Sequence, residues 1–309
     1  MSAKKRPASH DVSRLKVLAA GDEQPFVECV AELLASGDRL AREAALDALL
    51  ERPLARLREQ LRTLYFEVGS EGEKRDPGAH LRTGVAQILL ASKDARDIDI
   101  ALRAVDTRQN SMGVDCTAHL RALGLRIIAS ADPVLFPYVA VEHVNDFSEF
   151  SPEPANTALQ LLAATGHEAS VYQWIVSGID DPALIEAAID LLRDAPAIVM
   201  SRCLAQLTRG AIETKDEPLL TKLAETIVER QFADAYSSLS SIMESAISKE
   251  LYSYLALLLA GTNRPPLLSI LDEQMEHDIR RRPSILGALR VRTTPEQAAI
   301  LKRWEDGGD

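Results

Sequence analysis

Apolar side chains recur at three- and four-residue steps in short segments along the whole chain, which predicts amphipathic helices rather than strands. The clearest segment is 181–192, where Asp181 suits an N-cap and Pro182 suits the first helical turn. Its apolar positions form one broad face, made by Leu184, Ile185, Ala188, Ile189, Leu191 and Leu192. A helix this short is marginal alone in water, so we expect neighbouring helices to pack against it on both sides.

The same frame occurs in residues 38–49, which match 181–192 at Asp38, Glu43, Ala44, Ala45, Asp47 and Leu49. Looser copies begin at 94, 151 and 216. The starts at 151, 181 and 216 are 30 and 35 residues apart, about the length of a helix pair, whereas those at 38, 94 and 151 are 56 and 57 apart. A capped apolar helix that repeats along a chain is typical of units that stack on one another.

Continuing this pattern along the chain, with Gly, Pro and Asp marking the boundaries, predicts eighteen helices. They lie near 12–20, 25–36, 38–50, 53–65, 79–91, 95–105, 114–130, 134–144, 155–164, 168–177, 182–193, 197–209, 217–231, 233–248, 250–260, 266–279, 284–290 and 295–304. Gly124 falls inside one of them. Because an interior glycine costs a helix about 1 kcal/mol against alanine, we expect Gly124 to allow a close helix contact.

In Asp181-Pro182, Glu186-Ala187-Ala188 and Leu191-Leu192, and in Asp38, Arg42-Glu43-Ala44-Ala45 and Leu49, the sequence resembles the HEAT-repeat proteins of the HEAT/armadillo class. The resemblance implies an all-α fold, a right-handed α-solenoid of about eight or nine antiparallel helix pairs. We expect one such domain over 11–304, a disordered basic tail over 1–10 and a frayed C-terminus over 305–309. The resemblance does not indicate a function, because this fold serves many.

The net charge of −11 is concentrated in the middle of the chain. Residues 1–126 have a balance of +1 and residues 193–309 a balance of −2, whereas residues 127–192 contain ten acids and no Lys or Arg. This segment predicts an acidic surface that attracts a basic partner and would repel nucleic-acid phosphates.

The segment 145–154 contains two aromatic residues, Phe147 and Phe150, among the acids Asp146, Glu149 and Glu153. Two interpretations stay open. Either the aromatic side chains fold back onto the core, or this loop docks a basic partner, since aromatic residues are enriched in binding interfaces.

Candidate catalytic or metal-binding chemistry is sparse. The chain has no Gly-rich phosphate loop and no Gly-x-Ser-x-Gly, Cys-x-x-Cys or His-Glu-x-x-His motif. Cys116 and His119 would make half a metal site at best, and Glu186 and Asp190, one turn apart, fit a solvated helix face better than a cation site. We therefore expect no enzyme activity, cofactor or metal.

The three cysteines, Cys29, Cys116 and Cys203, lie in helical patterns and predict buried, reduced thiols in a cytoplasmic protein. No apolar run approaches the roughly 18 residues that span a membrane, and the polar, basic residues 1–10 do not resemble a secretory signal.

The function expected from these observations is a non-catalytic scaffold or adaptor that binds a protein with a basic surface on its concave, centrally acidic face. The candidate contact residues are Asp146, Phe147, Glu149, Phe150, Glu186 and Asp190. One alternative is an enzyme-associated protein similar to the phycobilin lyases, with a cofactor or small substrate in its groove. The other is nucleic-acid binding through the basic C-terminal residues Arg280, Arg281, Arg282, Arg290, Arg292, Lys302 and Arg303. The oligomeric state stays open.

Overall fold

The computed structural model describes residues 14–306 except 16, 19, 20, 179, 180, 247 and 292, and the side chains of Pro182 and Asp306 are not described. The predicted tail over 1–10 lies outside the described residues, as does most of the predicted helix over 12–20. At the other end the last helix continues to Asp306, and residues 307–309 lie outside the description.

The described chain is all-α, as predicted, and it divides into two compact units, one ending at His167 and one beginning at Glu168. The prediction of a single domain over 11–304 stays a prediction. The first unit contains α1 (Glu23–Leu34), α2 (Arg39–Glu51), α3 (Arg58–Gly69), α4 (His80–Leu90), α5 (Ile98–Val105), α6 (Ala118–Ala131), α7 (Phe136–His143) and α8 (Ala155–Ala164). Single 3₁₀ turns lie at Ala55–Leu57, Gly72–Lys74, Pro77–Ala79 and Ala95–Asp97.

The second unit is made of nine described helices and one 3₁₀ turn at Ala233–Ala235. The helices are α9 (Glu168–Val176), α10 (Pro182–Leu191), α11 (Ala197–Thr214), α12 (Glu217–Arg230), α13 (Tyr236–Ser245), α14 (Lys249–Gly261), α15 (Pro265–His277), α16 (Arg282–Val291) and α17 (Pro295–Asp306). In the described part of the chain, no helix is both long and apolar enough to cross a bilayer.

Within each unit most helices contact a neighbour in the chain, and many also contact the next helix but one. In the second unit this produces two rows, α9–α11–α13–α15–α17 and α10–α12–α14–α16. In the first unit α2, α4, α6 and α8 form one row, and α1 contacts α3. Burial of apolar side chains between successive helices explains why such short helices are stable here.

The predicted aspartate caps are present. The side chain of Asp38 accepts hydrogen bonds from the backbone N–H groups of Leu40 and Ala41 at 2.8 and 3.3 Å. Asp181 likewise accepts from Leu184 at 2.9 Å. Each carboxylate satisfies N–H groups that have no partner inside the helix, which stabilises a helix start by about 1 kcal/mol.

Gly124 makes the close contact that the sequence predicts. A β-carbon at this position would lie 2.8 Å from Val105 Cγ1 and 2.9 Å from the carbonyl oxygen of Ala101, so only glycine allows α6 to approach α5 this closely.

The predicted helix over 114–130 is wrong at its start. Residues Asn110–Ser111 (β1) and Val114–Asp115 (β2) form an antiparallel hairpin, and α6 begins only at Ala118. Its two-residue turn, Met112-Gly113, has positive φ at both positions (52° and 85°), the conformation that matches the twist of a tight hairpin. Cys116 follows the hairpin and is exposed, whereas Cys29 and Cys203 are buried in helices as predicted.

Candidate protein-binding surface

Three arginines are buried at equivalent places on alternate helices of the first unit. Arg42, Arg82 and Arg121 lie on α2, α4 and α6, 40 and 39 residues apart. Each meets a carboxylate: Arg42 meets Glu67 at 3.0 Å, Arg82 meets Asp76 at 3.0 Å, and Arg121 meets Asp146 at 2.8 Å. A buried guanidinium requires such partners, because its desolvation is otherwise very unfavourable.

Arg121 is the most buried of the three, with 1% of its surface exposed. Its Nε and Nη2 donate to the two oxygens of Asp146 at 2.8 and 2.9 Å, and Nη2 also pairs with Asp115. Its Nη1 donates to the hydroxyl of Thr117 at 3.0 Å and to the carbonyl of Thr107 at 3.2 Å. One side chain therefore joins the base of the β1–β2 hairpin to the start of the loop 145–154.

The carboxylate of Asp146 contacts three side chains. Besides Arg121, it contacts Arg108 at 2.7 Å and Nδ1 of His143 at 3.1 Å. Burial alone would raise the pKa of Asp146, but the hydrogen bonds from His143 and Arg121 and the charges of Arg121 and Arg108 outweigh it and hold that pKa below its usual range. The predicted partner-binding residue Asp146 is thus an internal anchor of the loop.

Beyond this anchor the loop makes a tight turn. The backbone N–H of Ser148 donates to the carbonyl of Ser151 at 2.9 Å, and that of Ser151 donates back at 3.1 Å. The hydroxyl of Ser148 accepts a further bond from the N–H of Phe150 at 3.3 Å. Glu149 and Phe150 therefore occupy the tip of a hydrogen-bonded turn, with 66% of Phe150 exposed. Phe147 is half-buried. The interpretation in which both aromatic side chains fold back onto the core therefore holds in part for Phe147 and not for Phe150.

Helix α7 precedes this turn and carries exposed apolar side chains at Tyr138 and Val141, and Val134 is exposed in the turn just before the helix. The three-residue spacing of Tyr138 and Val141 places these two side chains on one face of α7. Glu142 and Glu149 are exposed and make no ion pair within the described residues. We call the exposed side chains of this helix and of the turns on either side of it the α7 surface: Val134, Tyr138, Val141, Glu142, Glu149 and Phe150.

The other two predicted contact residues lie in the second unit and are paired. Glu186 meets Lys222 at 2.6 Å, and Asp190 forms an ion pair with Arg230. Both cations belong to α12, which follows residues 127–192 in the chain. Part of the negative charge of residues 127–192 is therefore neutralised by residues that are distant in sequence. The hydrogen bond to Glu186 raises the pKa of Lys222. At half-exposed positions such ion pairs contribute little stability, on the order of 0–1 kcal/mol.

The basic C-terminal residues are largely engaged inside the second unit as well. Arg281 donates to the carbonyls of Met243 and Ala246 at 2.9 and 2.8 Å, and Arg282 to the carbonyl of Met275 at 2.6 Å. Of the other members, Arg290 pairs with Glu305 and Arg303 pairs with Asp272. Arg280 and Lys302 make no ion pair within the described residues, and Arg292 lies outside them.

A cavity of about 660 Å³ lies between α9, α10, α11 and α12, lined by Ile185, Gln206 and Leu207 among others. Two of its acids, Asp181 and Asp216, cap helices α10 and α12. Among the described side chains, no group of three or more His, Cys, Asp or Glu residues is placed to hold a metal ion.

No protein-family model matches this chain, and no curated protein sequence matches it significantly. The resemblance to HEAT-repeat proteins therefore stays a prediction, and the function is argued from the contacts above.

Proposed function

We propose that the protein is a non-catalytic helical-repeat scaffold or adaptor that binds a protein segment bearing apolar and basic side chains through its α7 surface. The observation that carries this proposal is the turn Ser148–Ser151, in which two backbone hydrogen bonds and a serine hydroxyl hold Phe150 out in solvent. An exposed aromatic side chain on a held backbone loses little conformational entropy on binding, and such residues supply much of the affinity at interfaces.

The charge of the partner follows from the acids beside the apolar side chains. Glu142 and Glu149 are exposed, and residues 127–192 supply no Lys or Arg to neutralise them. A partner with Lys or Arg beside its apolar residues would be attracted and oriented by this charge. Glu186 and Asp190 are left out of the proposed contact surface because Lys222 and Arg230 already pair with them.

The scaffold part of the proposal draws on the helix contacts. Two rows of helices in the second unit, and the row of α2, α4, α6 and α8 in the first, are what stacked helix pairs of an α-solenoid would produce. The arginine spacing of 40 and 39 residues fits helix pairs of HEAT-like length. Cytoplasmic localisation belongs to the same proposal and draws on Cys116 and Cys203, which are free thiols.

Phe150→Ala is expected to weaken binding of the partner at least about tenfold, because a hot-spot side chain contributes roughly 2 kcal/mol or more. The partner is first identified by affinity purification of the full-length protein from its native cells, and the dissociation constant is then measured with both proteins purified. Glu149→Lys should slow association and reduce its dependence on salt.

The matched control is Ile198→Ala, which removes an apolar side chain of similar exposure (59%) from the second unit. All three variants alter exposed positions and should unfold at the wild-type temperature. Equal dissociation constants for wild type, Phe150→Ala and Glu149→Lys would show that the partner binds elsewhere.

A further inference from the structure

The cavity of about 660 Å³ in the second unit exists because two neighbouring helices differ in length. Helix α9 has 9 residues and ends at Val176, whereas α11 has 18 residues and ends at Thr214. The cavity is bordered by α9 only at its last two residues, Ile175 and Val176, and by α11 only from Gln206 onward. The side-chain amide of Gln206 donates to the carbonyl of Val176 at 2.6 Å. From there α11 continues past the end of α9 for residues 207–214, about 12 Å of helix, and the cavity lies beside this extension.

Aliphatic side chains and a glycine form part of the cavity wall. Leu207 of α11 and Leu219 of α12 each keep 8% of their surface exposed, and Val176 is half-buried. Gly210 is exposed, and a β-carbon at this position would meet nothing within 4 Å. A hydrocarbon chain can therefore lie directly against the backbone of α11 at Gly210. The cavity volume falls within the range of about 300–1,000 Å³ that is usual for small-molecule sites.

Four charged side chains border the cavity, and three of them are acids: Asp181, Glu213 and Asp216. Asp181 and Asp216 cap their helices through one carboxylate oxygen, and the second oxygen of each makes no hydrogen bond to a described residue. Glu213 is exposed and has no ion pair in the part of the chain that the structure describes. The same holds for Arg209, the one opposing charge of the lining. Three negative charges against one positive charge leave a balance of −2.

This balance determines the charge of a ligand that the cavity would accept. An ammonium group would be attracted by three acids and repelled by one arginine, whereas the reverse holds for a carboxylate or a phosphate. Lys215 and Glu217, on either side of Asp216 in the chain, are opposite in charge and leave the balance unchanged. The three acids are also not gathered around one point, since no three His, Cys, Asp or Glu residues of the described chain could hold a metal ion together. Several ammonium groups along one chain fit such separated carboxylates better than one compact cation does.

We propose that this cavity binds a linear aliphatic amine that carries more than one ammonium group. Its methylene chain lies against Leu207, Gly210 and Leu219. Its ammonium groups donate to Glu213 and to the second oxygens of the two capping aspartates. The cavity shares no residue with the α7 surface, so this proposal and the proposed function can fail independently.

Isothermal titration of the full-length protein at constant ionic strength tests the class of ligand with probes that share a five-carbon chain. The probes are 1,5-diaminopentane, 1-aminopentane, pentan-1-ol and pentanoate. The diamine is expected to bind most tightly and the monoamine about fivefold less tightly, as the loss of one exposed ion pair predicts. Pentan-1-ol and pentanoate should bind more weakly than either amine. The proposal is overturned if pentan-1-ol or pentanoate binds as tightly as the diamine. It is also overturned if the diamine does not bind at about 10 mM, where even a weak site would fill.

Gly210→Leu places an apolar side chain in the cavity and should abolish binding of the diamine. The variant should unfold at or above the wild-type temperature, because leucine favours a helix over glycine and the position is open. The matched control is Gly287→Leu in α16, another exposed glycine whose β-carbon would meet nothing within 4 Å. This control should bind the diamine like the wild type.

Two charge changes at the cavity should have opposite effects on the affinity for the diamine. Glu213→Gln is expected to weaken binding about fivefold, and Arg209→Gln to tighten it by a similar factor. Glu229→Gln removes an exposed acid of α12 that does not border the cavity and makes no ion pair with any described residue, so it controls for the overall charge of the protein. A Gly210→Leu variant that binds like Gly287→Leu, or a Glu213→Gln variant that binds like Glu229→Gln, would show that the diamine does not occupy this cavity.

Discussion

Replacing Arg121 with methionine is expected to destabilise the first unit by about 3–5 kcal/mol, the cost of breaking a buried ion pair from one side. Arg121 meets both Asp115 and Asp146 and also satisfies Thr107 and Thr117. Methionine keeps most of the apolar stem but leaves two partly buried carboxylates without their shared cation. Urea unfolding followed by circular dichroism measures the loss as a lower midpoint.

The matched control is Arg108→Met, because Arg108 also contacts Asp146 but is about half exposed. Its removal should cost no more than about 1 kcal/mol, as for other exposed ion pairs. If Arg121→Met unfolds at the same urea concentration as Arg108→Met, then Arg121 does not anchor the hairpin and the loop.

Acidification provides a second readout of the same variant. Burial raises the pKa of Asp115 and of Asp146, but hydrogen bonds and the charge of Arg121 outweigh it, so both pKa values are depressed in the folded protein. A depressed carboxylate pKa stabilises the fold above the ordinary aspartate pKa of about 3.9 and loses that effect as pH falls through the folded value. In the Arg121→Met variant, burial still raises the pKa of Asp115 and of Asp146, and only the weaker remaining contacts lower it. The stability difference between wild type and Arg121→Met should therefore narrow below about pH 4.

Adding one methyl group at Gly124 is expected to destabilise the protein by about 1–3 kcal/mol, the usual cost of overpacking a core. The new β-carbon would lie 2.8 Å from Val105 Cγ1 and 2.9 Å from the Ala101 carbonyl. Neither atom can move aside easily, because one belongs to a β-branched side chain and the other to helix backbone. Thermal or urea unfolding of Gly124→Ala measures the loss.

Gly210→Ala is the matched control, since it makes the same chemical change inside α11. A β-carbon there would meet nothing within 4 Å. Alanine should then stabilise the helix by up to about 1 kcal/mol through its higher propensity. We expect Gly124→Ala to lower the free energy of unfolding and Gly210→Ala to raise it. A stabilising effect of Gly124→Ala would contradict the close contact between α5 and α6.

Local signals in the sequence predict most of the fold. The three- to four-residue period and the caps at Asp38 and Asp181 locate helices that the structure has within a few residues. Gly124 is recognisable as a candidate because glycine lowers the stability of a helix interior, but Gly210 has the same signal and no close contact, so the sequence alone does not tell the two apart. The hairpin before α6 was missed because Val114 and Cys116 continue the apolar pattern of the helix, whereas the Met112-Gly113 turn depends on two positive φ angles.

The candidate surface was predictable only in part, because its charges are decided by contacts between distant residues. Glu149 and Phe150 are exposed at the turn, but Asp146 is neutralised by Arg121, which precedes it by 25 residues. Glu186 and Asp190 likewise receive cations from α12. A signal for the buried arginines did exist in the sequence, since Arg42, Arg82 and Arg121 recur at nearly equal spacing.

Site-specific photocrosslinking tests the proposed binding surface most directly. A photoreactive phenylalanine analogue is placed at position 150 of the full-length protein, and at position 198 as the control, in native cells. The α7 surface predicts that position 150 crosslinks to one protein, at a segment where apolar residues adjoin Lys or Arg, and that position 198 does not. Crosslinking of that protein from position 198, with none from position 150, would contradict the account.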